Sequence, residues 1–396
     1  MEWRRRVRER RTGLWRTLTL LSLGVATTLL LAACGGVGLE ESRPYTTTTP
    51  ESPTARDIQG LYKLVFWMAL VVFLVVQTAI VYTALRFRRT SHGADRPAQI
   101  HGNKRLEILW TVIPAIVLLV ILIPSITTMY DFDAAAEEGD LVVDVYARQW
   151  WWEIQYGKDA RGDELGVITG NEIHIPVGQD VIFRLHSNNV IHSFWVPQLS
   201  GKTDVIPGHI NEMSITATEP GEYYGECAEF CGAQHAWMRF KVVADPVDEF
   251  YTWVNQWRTA TTMAGPAATS GELSRVPDTF GLCLACHQIN GTNANVAPVG
   301  IESPPTSGPN LTLFACRETL AAGLLVNNEE NLRAWLRDPG AIKEDNWMAT
   351  VIQPGTLSEE QIDELVEYLY TLRPAEGCAG DAVPAVVPDT VAIPAA

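Results

Sequence analysis

The chain has 396 residues, too many for one small domain, and sets 30 Lys and Arg against 46 Asp and Glu for a formal net charge of -16. That charge is segregated: residues 1–130 carry 16 basic and 8 acidic groups, residues 131–270 carry 8 and 21, and residues 271–396 carry 6 and 17. A basic, apolar first third ahead of an acidic remainder excludes a plain cytosolic enzyme and argues against a nucleic-acid partner. The 7 cysteines are too few for a disulfide scaffold, so their spacing carries the information.

The chain opens with Arg4, Arg5, Arg6, Arg8, Arg10, Arg11 and Arg16, followed by uncharged residues from Thr17 to Ala33. A basic stretch leading into an apolar one is the pattern of a secretory signal, here residues 1–33. It ends in Leu31-Ala32-Ala33-Cys34-Gly35, which resembles a bacterial lipobox, so Cys34 is expected to become a lipid-modified N-terminus. Residues 34–60, rich in Gly, Thr and Pro, read as a tether.

Residues 61–130 form the next unit. Leu64–Leu85 and Ile108–Tyr130 are uncharged, and as helices each reaches about 33 Å, enough to cross a hydrocarbon core of about 30 Å. Neither run has a polar face, which disfavours buried globular helices. Arg86, Arg88, Arg89, Arg96, Lys104 and Arg105 lie between them, so the positive-inside rule makes that loop cytoplasmic. Everything after Asp131 is then extracytoplasmic. Glu107, at the cytoplasmic mouth of the second span, reads either as an interfacial carboxylate near Arg105 or as a proton-collecting group.

Residues 131–258 read as short strands. Leu141–Val145, Val181–Leu185 and Met238–Val242 are rich in β-branched and aromatic residues, and Gly178, Pro197, Pro207-Gly208 and Pro220-Gly221 punctuate them. The pattern predicts an antiparallel sandwich or barrel. Within it, Cys227-x3-Cys231-x3-His235-x2-Met238 supplies two thiols, an imidazole and a thioether from one loop, with His192 35 residues upstream of Cys227. Soft and borderline donors of this kind suit an electron-transfer copper site better than magnesium or calcium, and zinc has no use for Met. A Cys227–Cys231 disulfide and a mononuclear copper site remain alternatives on these residues alone.

At these motifs the chain resembles subunit II of haem-copper cytochrome c oxidases, over roughly residues 60–255. The resemblance implies a cupredoxin-like sandwich holding a binuclear copper centre, CuA. Cys227 and Cys231 would bridge the coppers, His192 and His235 would bind one each, and Met238 and the Glu229 carbonyl would complete the set. It also implies that Trp150, in Arg148-Gln149-Trp150-Trp151-Trp152, accepts electrons from cytochrome c. Glu107, in Leu106-Glu107-Ile108-Leu109-Trp110-Thr111, would take up protons, and the Glu229 carboxylate would face a magnesium ion shared with subunit I. Lys202–Gly208 would lie against that subunit. His209 stands where Arg is usual, and Asn189 where an acidic residue often helps to dock cytochrome c. The second departure puts a conventional docking face in doubt.

Residues 259–273, uncharged as far as Gly271, read as a linker. After it, Cys283-x2-Cys286-His287 is the attachment motif of a c-type haem, two thiols adding to the vinyl groups and His287 binding iron. Met348, the only methionine beyond the linker, is the expected sixth ligand. Gly308-Pro309-Asn310-Leu311 resembles a turn of class I cytochromes c, and Ser358-Glu359-Glu360-Gln361 is a capping box opening a helix to Leu372. Residues 274–375 therefore read as an all-α cytochrome c domain, and 376–396 as a tail. Cys316 and Cys378, both outside the reducing cytosol, are expected to form a disulfide clamping the haem fold.

The sequence thus reads as a multidomain chain: a two-helix transmembrane hairpin, an all-β cupredoxin-like sandwich and a cytochrome c domain. The expected function is subunit II of a caa3-type oxidase in a bacterial plasma membrane. Electrons from a cytochrome c or a respiratory complex would pass through haem c and CuA to subunit I, where oxygen is reduced and protons are pumped. Its partners would be subunit I and the other oxidase subunits. Two rivals are a stand-alone membrane-anchored electron carrier and a component of a nitrogen-oxide reductase.

Overall fold

The structure, a computed structural model, describes residues 45–87, 102–131, 140–159, 161–260, 276–290, 308–374 and 376–379. The signal segment, Cys34, most of the loop between the two spans and most of the linker lie outside these residues.

Helix α1 spans Pro53–Arg86 and α2 spans Lys104–Asp131; each is long and apolar enough to cross a membrane. Their apolar side chains, Phe66, Val72, Ile116 and Leu119 among them, are exposed, as a lipid-facing or partner-facing helix requires. The tether expected over 34–60 ends earlier than its composition indicated. Ser52 caps α1 by accepting from the Ala55 N–H, and Pro53 occupies the first turn, where its missing donor costs nothing. Ser52 is fully buried and donates to the Leu199 carbonyl, while the Glu51 N–H donates to the Gln198 carbonyl at 2.8 Å. The start of α1 is thus built into the sandwich.

The sandwich holds ten strands: β1 Leu141–Arg148, β2 Trp151–Lys158, β3 Glu164–Gly170, β4 Glu172–Pro176, β5 Val181–Ser187, β6 His192–Trp195, β7 Thr203–Val205, β8 Asn211–Ile215, β9 Gly221–Cys227 and β10 Arg239–Asp245. They form two sheets of five, in the orders β3-β2-β1-β5-β8 and β4-β10-β9-β6-β7. The expectation of an antiparallel arrangement needs correction, because β1 pairs β5 and β10 pairs β4 in parallel. Burial alternates along β1 and β9, so one face of each strand enters a core of Trp152, Phe183, Phe194 and Phe240. Rings of Phe194 and Phe240 stack at 4.4 Å, and Trp152 meets both edge-on at 5.4 and 5.2 Å. Helix α3, Val247–Thr259, buries Phe250, Trp253 and Trp257 against this core.

The remaining domain has its own core. A 3-10 stretch Asp278–Ala285 carries the first haem-motif cysteine, and a second, Phe314–Cys316, follows the Gly308 turn. A two-residue strand pair, β11 Thr319–Leu320 with β12 Leu325–Val326, interrupts an otherwise helical domain. Four helices follow: α4 Glu329–Arg337, α5 Pro339–Ile342, α6 Trp347–Val351 and α7 Glu359–Thr371. The Ser358 capping box opens α7, which turns Ile362, Leu365 and Leu369 inward.

Candidate electron-transfer site

The copper loop is assembled by strand pairing. β9 and β10 form a hairpin in which Glu226 faces Arg239, so Cys227 and Met238 flank the connecting loop; the Cys227 N–H donates to the Met238 carbonyl at 3.1 Å. β6 pairs β9 with Phe194 opposite Cys227, which carries His192 across 35 residues of sequence to the same place. Cys227, Cys231, His192 and Met238 are all buried.

The two sulfurs lie 3.8 Å apart, too far for a bond that requires about 2.05 Å, so the disulfide alternative does not describe this loop. His192 Nδ1 is 3.9 Å from the Cys227 sulfur, and His235 Nδ1 is 3.8 Å from the Cys231 sulfur. Met238 Sδ lies 3.9 Å from Cys231, and the Glu229 carbonyl 3.2 Å from Cys227. Two thiols sit at the centre with one imidazole outside each, a donor set with room for two soft metal ions. The hydrogen bond between the two sulfurs holds the Cys227 thiol well below its ordinary range despite burial. Metal binding would therefore displace the remaining proton, the one held on Cys231.

Asn189, noted in the sequence only as a departure at a docking position, has a different place here. Its Oδ1 accepts from His192 Nε2 at 3.1 Å, which fixes the tautomer and leaves Nδ1 free for a metal. Trp152 lies beneath the site, its ring 6.0 Å from that of His192. Glu229, whose carbonyl meets the Cys227 sulfur, is exposed.

The haem-motif residues line a cavity that leaves about 1470 Å³ free of protein atoms, its open mouth included. Cys283, Cys286, His287 and Met348 all face it, along with apolar Phe280 and Leu365. His287 Nδ1 donates to the Pro309 carbonyl at 2.9 Å, leaving Nε2 for iron, and burial lowers its proton affinity. Gly308 makes room for that ring, since a Cβ there would lie 2.5 Å from His287 Cε1. Arg317, which sequence reasoning passed over, lines the cavity as well. One of its terminal nitrogens donates to the Asn310 carbonyl, while its buried Nε has no hydrogen-bond partner among the described residues. An apolar cavity with paired thiols, an available imidazole nitrogen, a thioether and a guanidinium whose Nε is unpaired among the described residues fits a tetrapyrrole bearing carboxylates.

That cavity is shared. Gln149, Trp150, Trp151 and Glu172 of the sandwich line its other side. Trp150 Nε1 and Gln149 Nε2 both donate to the Cys231 carbonyl, at 3.0 and 2.8 Å, so the expected electron acceptor touches the copper loop directly. Lys343 donates to the Trp150 carbonyl at 3.0 Å from the helical domain. Gly170 meets Pro309 so closely that a Cβ would come within 2.8 Å of it. Lys241, 3% exposed, sits among Glu172, Glu222 and, from the helical domain, Glu318.

Cys316 and Cys378 are joined by a disulfide with Cα atoms 5.4 Å apart. The expected pair is joined across the helical domain and also meets the sandwich: Cys316 packs against the sandwich core, and Gln256 of α3 bonds the Gly377 carbonyl and the Ala379 N–H. The bond therefore fastens the end of the helical domain to the boundary with the sandwich. Glu107 is exposed in the first turn of α2, where its Oε1 accepts from the Asn103 N–H at 3.2 Å. This is a local cap, favourable to the helix dipole.

Three family models match in chain order: the transmembrane domain of cytochrome c oxidase subunit II over residues 46–128, its periplasmic domain over 160–245, and cytochrome c over 278–373. Cytochrome c oxidase subunit 2 of Alkalihalophilus pseudofirmus is 37% identical over 92% of this chain and 99% of its own length. The chain belongs to the cytochrome c oxidase subunit II family. The Bacillus subtilis relative of the same name is 34% identical over 91% of this chain and 98% of its own. The solved periplasmic domain of subunit II of cytochrome oxidase of Bradyrhizobium japonicum is 29% identical over 32% of this chain and 98% of that one, with a TM-score of 0.27. This subunit II carries a fused cytochrome c domain, is anchored by its two transmembrane helices and holds both following domains outside the cytoplasm.

Proposed function

We propose that this subunit relays single electrons from an external donor, through a haem c covalently held by its own tail, to a binuclear copper centre and on to subunit I. The observation that supports it best is the shared boundary: one cavity is lined by Cys283, Cys286, His287 and Met348 on one side and by Trp150 on the other, with Trp150 bonded to Cys231. When bound, the haem and the copper pair supply the two one-electron redox centres. Cys227 and Cys231 would bridge the coppers, with His192 and His235 binding one each and Met238 and the Glu229 carbonyl completing the set. Cys283 and Cys286 would fix the haem, and His287 and Met348 would hold its iron.

The remaining residues prepare these positions. Asn189 orients His192, Pro309 orients His287, and Arg317 offers its guanidinium to an anionic haem edge. Trp150 is half-buried, and Lys343 of the helical domain holds its carbonyl. The Glu229 carboxylate would meet a magnesium ion shared with subunit I, and Glu107 would collect protons at the cytoplasmic side; both residues are exposed. A chain stopped after Thr259 tests the relay: the assembled oxidase should keep its copper absorption and lose turnover with its physiological donor. Undiminished turnover would sink it. The rival of a stand-alone carrier predicts purification free of subunit I.

A further inference from the structure

Lys343 has no role in any motif of the sequence, yet it is 4% exposed at the boundary between the two cofactor sites. A buried amine is costly unless it is hydrogen-bonded. Here Nζ donates to the Trp150 carbonyl at 3.0 Å, and Trp150 in turn donates through Nε1 to the carbonyl of Cys231 at 3.0 Å. On its other side the Lys343 carbonyl accepts from Asn346 Nδ2, and Asn346 Oδ1 accepts from the Ala349 N–H at 2.8 Å. Asn346 thereby caps α6, the short helix that carries Met348. A bonded route therefore runs from the expected axial ligand of the haem to an expected ligand of the copper pair, with Lys343 as its only side chain crossing from the helical domain to Trp150 among the described residues. Next to it, Gln234 of the copper loop donates to the Glu344 carbonyl and holds the same segment.

We propose that Lys343 is a positioning residue for electron transfer between haem c and CuA, holding the Met348 segment against the Trp150 turn so that the two centres communicate through bonded atoms. This rests on the assignment of the two cofactors above. In the step it serves, one electron leaves the haem and one is gained by the copper pair; no bond forms or breaks and no proton moves. A packing role alone would be met by an apolar side chain, whereas a donor aimed at one carbonyl fixes register as well as contact.

The test uses the assembled oxidase with Lys343→Met and Lys343→Arg, following haem c oxidation after rapid injection of electrons, together with the haem and near-infrared copper bands. Loss of the hydrogen bond to the Trp150 carbonyl should slow transfer in Lys343→Met about tenfold with both bands unchanged, and Lys343→Arg, which restores a donor, should recover to within about threefold. In the intact chain, amine-labelling with mass spectrometry should find Lys343 modified roughly tenfold more slowly than exposed Lys158, as expected for a group reached only by local opening. Wild-type rates in Lys343→Met with both bands present would overturn the proposal, as would labelling of Lys343 at the Lys158 rate. Should Lys343→Met not assemble, the labelling and the Arg variant decide. Absence of a copper or haem band from the wild-type chain would instead refute the cofactor assignment.

Discussion

The two cysteine pairs of this chain make unlike sites from like atoms. Cys227 and Cys231 are buried on a strand hairpin, with ligand atoms of four residues already gathered round them at 3.2–3.9 Å. Cys283, on a 3-10 stretch, and Cys286, just past its end, are half-buried and face a wide cavity. The copper site is prepared by a core that is complete without metal, since two sheets close over Phe183, Phe194 and Phe240. The haem-motif residues line a cavity in a small core, where leucine and phenylalanine side chains would pack against the prosthetic group. Metal should therefore be dispensable for folding in one domain, and the prosthetic group indispensable in the other.

The largest expected effect follows from the second half of that contrast. Replacing Cys283 and Cys286 together by Ser should abolish the haem c band and expose residues 278–373 to limited proteolysis, while the copper absorption persists. Survival of a protease-resistant tail without haem would break the comparison. Cys231→Ser should remove nearly all copper and leave both the haem band and the thermal unfolding of the sandwich close to wild type. Collapse of the sandwich in that variant would show that metal is part of its fold.

Lys241 sharpens the same contrast, because its cluster joins the domains. Lys241→Met strands Glu172, Glu222 and Glu318 together, and removal of one partner from a buried ionic cluster costs about 3 kcal/mol or more in chemical unfolding. Burial already pushes the Glu318 carboxyl up to about 7, so the helical domain gives up part of the deficit by taking a proton.

A comparable effect is expected from pH. Burial disfavours a charged His174, but its hydrogen bonds to Asp245 at 2.7 Å and Glu172 at 3.4 Å outweigh this and raise it to about 9. A raised histidine contributes stability that is complete below about pH 6.5 and lost as pH climbs through 9, here about 3 kcal/mol. The denaturation midpoint of the sandwich should fall across that window, and His174→Gln should flatten the slope. An equal slope in the variant would assign the effect elsewhere. Smallest is Asn189→Ala, which frees the His192 ring; copper affinity should drop about 10- to 100-fold with folding untouched, read by competition with a chelator.

The legibility of these features in the sequence follows their span. Cys227, Cys231, His235 and Met238 share one loop, so their spacing displays the donor set before any fold is known. His192 is remote in sequence but stands out as the imidazole upstream of the loop; its ligand role comes from the resemblance, and the β6–β9 register explains its arrival. The capping box at Ser358 and the strands at Leu141 and Val181 are local patterns, and all three are where those patterns put them. The start of α1 was missed because a Thr- and Pro-rich stretch reads as a tether, although Ser52-Pro53 is itself a helix-start signal. Parallel pairing of β1 with β5 leaves no mark on either strand's own composition. Lys343, Lys241 with Glu318, and Asn189 as a partner of His192 were invisible for a deeper reason. Each acquires its role only from a neighbour that tertiary packing delivers, and nothing in a lone Lys or Asn announces it.

The most direct test of the central claim is a visible and near-infrared spectrum of the purified extracytoplasmic domains, with copper, iron and zinc counted on the same sample. This account predicts two coppers and one covalently attached haem per chain, with the near-infrared copper band lost in Cys231→Ser and the haem band retained. One copper per chain, zinc in place of copper, or haem extractable into acidified organic solvent would contradict it.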